Sequence, residues 1–187
     1  PEALGLFAVG AKFSMLMALA VDTFRKAWGP IAWDAMHSND GPETFRMIAR
    51  LYMGLGTAAV VILTLLSPRL VQWLTVAAYH DAWPIVGILA WQALFYGFFL
   101  IASGGIRKAE KTYLNLSLMG VAAIIGFFLN WLLVPDFGGI GAAVATVITY
   151  LFWTITSMIV SESLWRVGFP WGIHLVQIAT GSIFVGW

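Results

Sequence analysis

Two charged residues lie inside the otherwise apolar stretch Ala3–Phe24, and they are the first candidates for chemistry in this chain. A charge within a membrane-spanning segment is costly and usually marks a function. Lys12 either attracts an anionic substrate in a water-filled cavity or extends its ammonium group toward the membrane surface. Asp22 either binds a coupling proton or cation, or forms a local ion pair with Arg25 and Lys26, at i+3 and i+4.

Four polar side chains in later apolar stretches are the next candidates. Gln92 and Tyr96 lie in one stretch, and Asn115 and Asn130 lie in the next. Each side chain can contact a substrate, or it can form a hydrogen bond between neighbouring helices. The substrate-binding candidates are Lys12, Gln92, Tyr96 and Asn130, and the ion-coupling candidate is Asp22.

Catalytic and metal chemistry has no comparable signal in the sequence. The histidines His37, His80 and His174 are scattered, and none has a metal-ligand partner at helical spacing. The chain has no cysteine, which excludes disulfides, thiolate metal sites and a cysteine nucleophile. It also lacks the Gly-x-Ser-x-Gly motif of serine hydrolases. We therefore expect no enzyme activity, no metal and no cofactor.

The elements that must position these residues are membrane-spanning helices. Of the 187 residues, 60% are hydrophobic and 10% are charged, and the mean hydropathy is +0.86. Soluble domains carry about 25% charged residues, and a transmembrane helix needs about 20 apolar residues. The composition predicts an all-α, polytopic transmembrane bundle that forms one lobe over residues 1–187, with about six spans. The predicted spans are 4–28, 46–66, 84–104, 113–134, 139–160 and 171–187.

Prolines and acidic residues set the predicted boundaries of these spans. Ser67-Pro68 is expected to end the second span and Pro135-Asp136 the fourth, because proline removes a helix hydrogen bond. Gly29-Pro30 is expected to kink the first helix. We expect Asp81 to cap the third span, and Arg69–Tyr79, which is short and mixed, to lie at the membrane interface.

The basic residues predict how the bundle is oriented. Eight of the ten Lys and Arg residues fall in the loops after spans one, three and five or in the span ends beside those loops, and only Arg69 falls on the other side. Loops rich in Lys and Arg stay in the cytoplasm. The eight are Arg25, Lys26, Arg46, Arg50, Arg107, Lys108, Lys111 and Arg166. The tryptophans expected at the two membrane interfaces are Trp28, Trp33 and Trp165 on one side, and Trp73, Trp83 and Trp131 on the other.

A run in the second half of the chain resembles a known family. Leu129-Asn130, Leu133-Val134-Pro135 and Gly141–Thr146 follow one another as in the bacterial polysaccharide exporters, the O-antigen-type or Wzx-like flippases. These proteins belong to the multidrug/oligosaccharidyl-lipid/polysaccharide (MOP) superfamily. Two further stretches are similar to the same family, and the resemblance extends over about residues 3–160. They are Gly5–Phe13, in which Phe7 replaces the usual tyrosine, and Tyr79–Val86 followed by Lys108 and Lys111-Thr112.

The resemblance implies more than the sequence pattern does. It implies a MATE-like transporter with two pseudo-symmetric lobes, of which this chain is the second, so we expect a piece of a longer protein that lacks its N-terminal lobe. The implied substrate is a polyprenyl-pyrophosphate-linked oligosaccharide. It is moved by alternating access across the bacterial cytoplasmic membrane for the assembly of surface polysaccharide such as O-antigen, lipopolysaccharide or exopolysaccharide. Implied partners are membrane lipid, a polysaccharide polymerase and glycosyltransferases, with no nucleic acid. Lys12 and Asn130 fall on positions of the family pattern.

Three other functions stay open at this point. A cation-coupled multidrug antiporter of the same superfamily favours an acidic residue facing the cavity, and Asp22 is the acidic residue within a span. A polytopic membrane glycosyltransferase or acyltransferase predicts a cluster of His, Asp or Glu at one interface. A membrane-anchoring subunit has no transport activity of its own.

Overall fold

The computed structural model describes residues 2–169, and within that range the chain is helical and contains no strand. The all-α prediction is therefore confirmed. The helices are α1 (Glu2–His37), α2 (Gly41–Leu74), α3 (Trp83–Ala102), α4 (Gly104–Lys108) and α5 (Thr112–Leu164), and a 3₁₀ helix (Ala77–Ala82) precedes α3.

Four helical stretches are long and apolar enough to cross a membrane, which is consistent with a membrane protein. They are Leu4–His37, Gly41–Leu74, Ala77–Lys108 and Thr112–Leu164. The prediction of six spans is not confirmed. The fourth and fifth predicted spans fall in the two halves of the one stretch Thr112–Leu164, before and after Gly138. The sixth, 171–187, lies outside the described residues.

Helix α5 is not one straight rod, because its direction changes at Gly138. The backbone of Gly138 has φ 55° and ψ −128°, a conformation open mainly to glycine. A Cβ atom on Gly126 would lie 2.8 Å from Oγ1 of Thr149, although these residues would be about 35 Å apart in a straight helix. The halves 112–137 and 139–164 therefore lie side by side. The prediction that Pro135-Asp136 ends the fourth span is wrong, since Gly138 makes the reversal.

Helix α2 continues through Ser67-Pro68, so the prediction of a break there is also wrong. Pro68 has no N–H to donate to the carbonyl of Thr64, four residues earlier. The hydroxyl of Ser67 donates to that carbonyl over 2.8 Å and also lies 3.2 Å from the carbonyl of Trp83. Because the carbonyl keeps a donor, α2 extends to Leu74, so the first half of 69–79 continues α2.

Two smaller predictions also concern helix boundaries. Helix α1 runs through Pro30 as one helix to His37. The residue that precedes α3 is Ala82, and no side chain caps this helix, so the prediction of a cap by Asp81 is wrong. Pro42 and Glu43 lie in the first turn of α2, where the ring is tolerated and a negative charge is favourable.

Helix α3 is the central helix and contacts α1, α2 and α5. Small residues allow this close packing: a Cβ atom on Gly97 would lie 1.8 Å from the hydroxyl of Tyr52. That hydroxyl donates to the carbonyl of Leu94 over 3.2 Å. Beyond α3, the backbone N–H of Gly105 donates to Oγ of Ser161 over 2.7 Å. Helix α2 is thus tied directly to α3, and α5 is tied to α4.

Long-range contacts bring the predicted cytoplasmic loops to one end of the bundle. The indole N–H of Trp28 donates to the carbonyl of Leu100 over 3.3 Å, and the guanidinium of Arg46 donates to the carbonyl of Val167 over 2.8 Å. We call this end, which carries the eight basic residues named above, the basic end. Trp28 is 1% exposed and packs on Phe45, so its ring is buried inside the bundle at this end.

Candidate functional site

A pocket of about 200 Å³ lies between α1 and α3, and four of its lining side chains are polar or charged. Residues spaced by three and four positions along α1 form one wall, which places them on one face of that helix. A single turn of α3 forms the other wall. The lining residues are Ala18, Val21, Asp22 and Arg25 from α1 and Gln92, Ala93 and Tyr96 from α3.

The carboxylate of Asp22 is fixed by two cations on its own helix. Arg25 approaches Oδ1 to 2.6 Å, and Lys26 approaches Oδ2 to 2.8 Å. The ion pair predicted from the spacing is therefore confirmed. The three side chains together carry one net positive charge, and Asp22 and Arg25 also line the pocket. Asp22 is thus both a local ion-pair partner and a wall of the site.

Gln92 and Tyr96 lie one turn apart on α3 and face the pocket together. The ring of Tyr96 packs on Tyr150 and Trp153 of α5, with ring centroids 6.3 and 6.5 Å apart. These contacts hold the aromatic wall in place. Within residues 2–169 neither the amide of Gln92 nor the hydroxyl of Tyr96 makes a hydrogen bond, so both groups can bind a solute.

Lys12 lies outside this pocket. Its side chain is exposed, and among the described residues it forms no ion pair. Lys12 precedes Asp22 by ten residues, so it lies about 15 Å nearer the N-terminus of α1. Its direction from the helix axis is turned by roughly 130° from the centre of the pocket-lining face. Lys12 and the pocket therefore face different surroundings.

The two asparagines lie on the first half of α5, also away from the pocket. Nδ2 of Asn130 donates to the carbonyl of Gly126 over 2.9 Å, within its own helix. Oδ1 of Asn115 is buried and accepts no hydrogen bond from the described residues. The structure thus joins Asp22, Gln92 and Tyr96, and leaves Lys12 and Asn130 apart from them.

The sequence analysis treated Arg25 only as a partner of Asp22 and missed it as a lining residue. The signal was present in the helical phase: Ala18, Asp22 and Arg25 share one face of α1. It also missed Trp153, whose ring packs at 4.1 Å on Phe99 and whose Nε1 is buried without a partner among the described residues. Only the packing of α5 on α3 shows that this indole lies beside the site.

The arrangement has the chemistry of a binding site. It offers a carboxylate, a guanidinium, an amide, a phenol and an aromatic face within one small volume. In residues 2–169 no three His, Asp or Glu side chains come together as a metal site. The polar side chains that line the pocket can pair with a solute through charge and hydrogen bonds.

The fold and the pocket define a helical bundle that is consistent with a membrane protein and has a polar site between two apolar helices. Comparisons of the chain with protein-family models, with curated proteins and with solved structures find no match. The class of the protein therefore rests on its own residues and geometry.

Proposed function

We propose that this chain is one lobe of a MOP-superfamily flippase in the bacterial cytoplasmic membrane. It moves polyprenyl-pyrophosphate-linked oligosaccharide by alternating access for surface polysaccharide assembly. The observation that carries the proposal is the polar pocket formed by Asp22, Arg25, Gln92 and Tyr96 between two apolar helices. Ionisable residues within membrane segments commonly mark a substrate or ion pathway.

The chemistry of the pocket suits a hydrophilic head group. Sugar hydroxyls can donate to the carboxylate of Asp22 and pair with the amide of Gln92, while Tyr96 offers an aromatic face. Arg25 suits a phosphate oxygen, since a guanidinium pairs well with oxyanions. The sequence resemblance around Asn130 supports the same class. Transport needs no covalent step, only a ligand that favours the two lobe arrangements differently.

Lys12 has a separate place in this proposal. Its side chain is exposed and lies outside the pocket, and its ammonium group can attract the pyrophosphate of the substrate. A charge that crosses the membrane potential changes in free energy by about 2.3 kcal/mol per 100 mV. The potential therefore acts on the negative charge that the substrate carries across the membrane.

One observation favours the cation-coupled multidrug antiporter as the second candidate. The carboxylate of Asp22 faces the pocket while it is paired with Arg25 and Lys26. A cationic drug that enters the pocket can replace one of these partners, because its positive charge satisfies the same oxygen atoms. Asp22 then alternates between its own helix and the substrate.

The test uses Gln92→Ala in the full-length protein, with Gln72→Ala as the matched control, because Gln72 is exposed on α2. We expect Gln92→Ala to lower surface polysaccharide several-fold at normal protein level, and Gln72→Ala to leave it unchanged. Asp22→Asn and Lys12→Ala are scored in the same assay. Normal polysaccharide in all the variants would overturn the flippase. Loss of drug efflux alone in Asp22→Asn would establish the antiporter instead.

A further inference from the structure

Three neighbouring side chains of α1 give the polar pocket more positive than negative charge. Asp22 and Arg25 line the pocket, whereas Lys26 is not one of its lining residues. The ammonium group of Lys26 nevertheless lies 2.8 Å from Oδ2 of Asp22. One carboxylate and two cations leave one net positive charge, and without Lys26 the two charged lining residues would be neutral together.

Both oxygen atoms of the Asp22 carboxylate already have a cationic partner. Nη2 of Arg25 approaches Oδ1 to 2.6 Å, and the ammonium group of Lys26 approaches the other oxygen atom. A cationic ligand must displace one of these two partners before it can pair with the carboxylate. An anionic ligand displaces neither of them, so the pairing of Asp22 favours an anion in the pocket.

The guanidinium group of Arg25 keeps donors for such a ligand. A guanidinium carries five N–H groups, and among residues 2–169 this side chain makes one hydrogen bond, to Asp22. Arg25 is exposed and lines the pocket, so its other N–H groups are accessible. A planar fork of N–H groups matches two oxygen atoms of one oxyanion. Arg25 can therefore hold an oxyanion while it stays paired with Asp22.

Two neutral donors line the same pocket from α3. They are the amide of Gln92 and the hydroxyl of Tyr96, and neither makes a hydrogen bond within the described part of the chain. Each of them can donate to an oxygen atom of a bound anion. With Arg25 they provide donors from three side chains on two helices, which suits the several oxygen atoms of a phosphate better than the two of a carboxylate.

We propose that the polar pocket binds a phosphate group at Arg25, and that Lys26, which lies outside the pocket lining, is the positioning residue that gives the pocket its preference for anions. Lys26 neutralises Asp22, so the charge of Arg25 remains available to the ligand. This inference rests on the proposed function and specifies which part of the substrate the pocket holds. The phosphate is either part of a lipid head group or free in solution.

The test measures binding of inorganic diphosphate to the purified full-length protein in an uncharged detergent, by isothermal titration calorimetry. The buffer contains about 0.1 M salt, which screens charges that lie more than about 10 Å apart. Lys26→Gln should weaken binding about five-fold, because it removes the net positive charge beside the pocket. Arg50→Gln is the matched control, since it removes the same charge from an exposed residue of α2 outside the pocket. It should bind as the wild type does.

Two further variants separate the effect of charge from a loss of structure. Lys26→Arg keeps the charge and should bind as the wild type does. The double variant Asp22→Asn, Lys26→Gln removes one charge of each sign, so it restores one net positive charge and should recover the affinity that Lys26→Gln loses. Failure of both variants to recover binding would overturn the proposal. An equal loss in Arg50→Gln would also overturn it, since the anion would then respond to the overall charge.

Competition identifies the source of the phosphate. Displacement of diphosphate by short-chain phosphatidylglycerol would assign the pocket to a lipid head group, and displacement by inorganic phosphate alone would assign it to a free anion. Displacement by neither would overturn the phosphate site. If the charge series fails while Gln92→Ala still lowers surface polysaccharide, this inference falls and the flippase stands. If the series succeeds while polysaccharide is normal in all the variants, the flippase falls and the phosphate site stands.

Discussion

The central helix α3 and the first half of α5 have the same apolar character and opposite surroundings. Neither Trp83–Ala102 nor 112–135 contains a charged residue. Yet 78% of the most apolar window of the α3 span is buried inside the bundle, against 11% for α5. Hydropathy therefore predicts that a segment leaves water, and it does not predict whether protein or lipid replaces the water.

Small residues account for much of the difference between these two helices. Gly97 of α3 contacts Tyr52 and Val21, whereas Gly120 of α5 has no atom outside its own helix and chain neighbours within 4 Å of an added Cβ. Large side chains cover the free face of α5, where Phe127 is 69% exposed and Trp131 is 72% exposed. In lipid such side chains gain little by packing against protein, because the acyl chains around them are equally apolar.

The largest predicted effect comes from the same truncation made in both helices. Ile101 of α3 is 0% exposed and Ile124 of α5 is 59% exposed. We expect Ile101→Ala to lower the free energy of unfolding by about 2–5 kcal/mol, because it leaves a cavity in packed surroundings. Ile124→Ala should change it by less than about 0.5 kcal/mol, as for other exposed sites. Unfolding of the full-length protein in mixed micelles, followed by tryptophan fluorescence, measures both values.

A large loss for Ile124→Ala would contradict the comparison, since it would show that another part of the full-length protein packs against this face of α5. Equal small losses for the two variants would instead show that α3 is not the packed centre. Far-ultraviolet circular dichroism of each variant, recorded before unfolding, is the control for an intact starting structure.

Glycine substitutions give the next largest effect, and the two helices should respond with opposite sign. An added methyl group on Gly97 overlaps the hydroxyl of Tyr52, so Gly97→Ala should destabilise the protein by about 1–3 kcal/mol. Gly120→Ala meets open space and should stabilise the helix by about 0.5–1 kcal/mol. Thermal unfolding of the two variants side by side measures the sign. Stabilisation by Gly97→Ala would contradict the close contact between the Tyr52 hydroxyl and Gly97 of α3.

Much of the fold follows from the sequence, because apolar length and loop charge are local properties. The predicted spans 84–104 and 139–160 lie within 83–108 and 139–164 of the structure. The errors concern residues whose effect depends on a neighbour. Pro68 breaks no helix because Ser67 supplies a donor, and α5 reverses at Gly138 because only glycine adopts that backbone readily.

The sequence identifies polar residues of the candidate site, but it does not predict which of them lie together. Asp22, Gln92 and Tyr96 stand out as polar groups in apolar segments, and the ion pair of Asp22 follows from spacing along one helix. The face that α1 turns toward α3 depends on packing between helices, which sequence spacing does not encode. For that reason Lys12 looks equivalent to Asp22 in the sequence, although it faces elsewhere in the structure.

The smallest predicted effect concerns the junction between α2 and the start of α3. Ser67 is fully buried, and its hydroxyl serves the carbonyls of Thr64 and Trp83. Ser67→Ala should lower the free energy of unfolding by about 1 kcal/mol, because a buried carbonyl loses its donor. In the Pro68→Ala background the new N–H of residue 68 can donate to Thr64, so the same substitution should cost less.

A double-mutant cycle of Ser67→Ala and Pro68→Ala in the full-length protein, measured by thermal unfolding, isolates this coupling. Additive losses would show that the hydroxyl does not compensate for the proline, and the continuity of α2 would then need another cause. A smaller cost of Ser67→Ala in the Pro68→Ala background would show that the Ser67 hydroxyl compensates for the N–H that Pro68 lacks. Ser163→Ala is the control, because that hydroxyl is exposed and bonds to a carbonyl of its own helix. Removing it leaves the acceptor open to solvent, so its effect should be near zero.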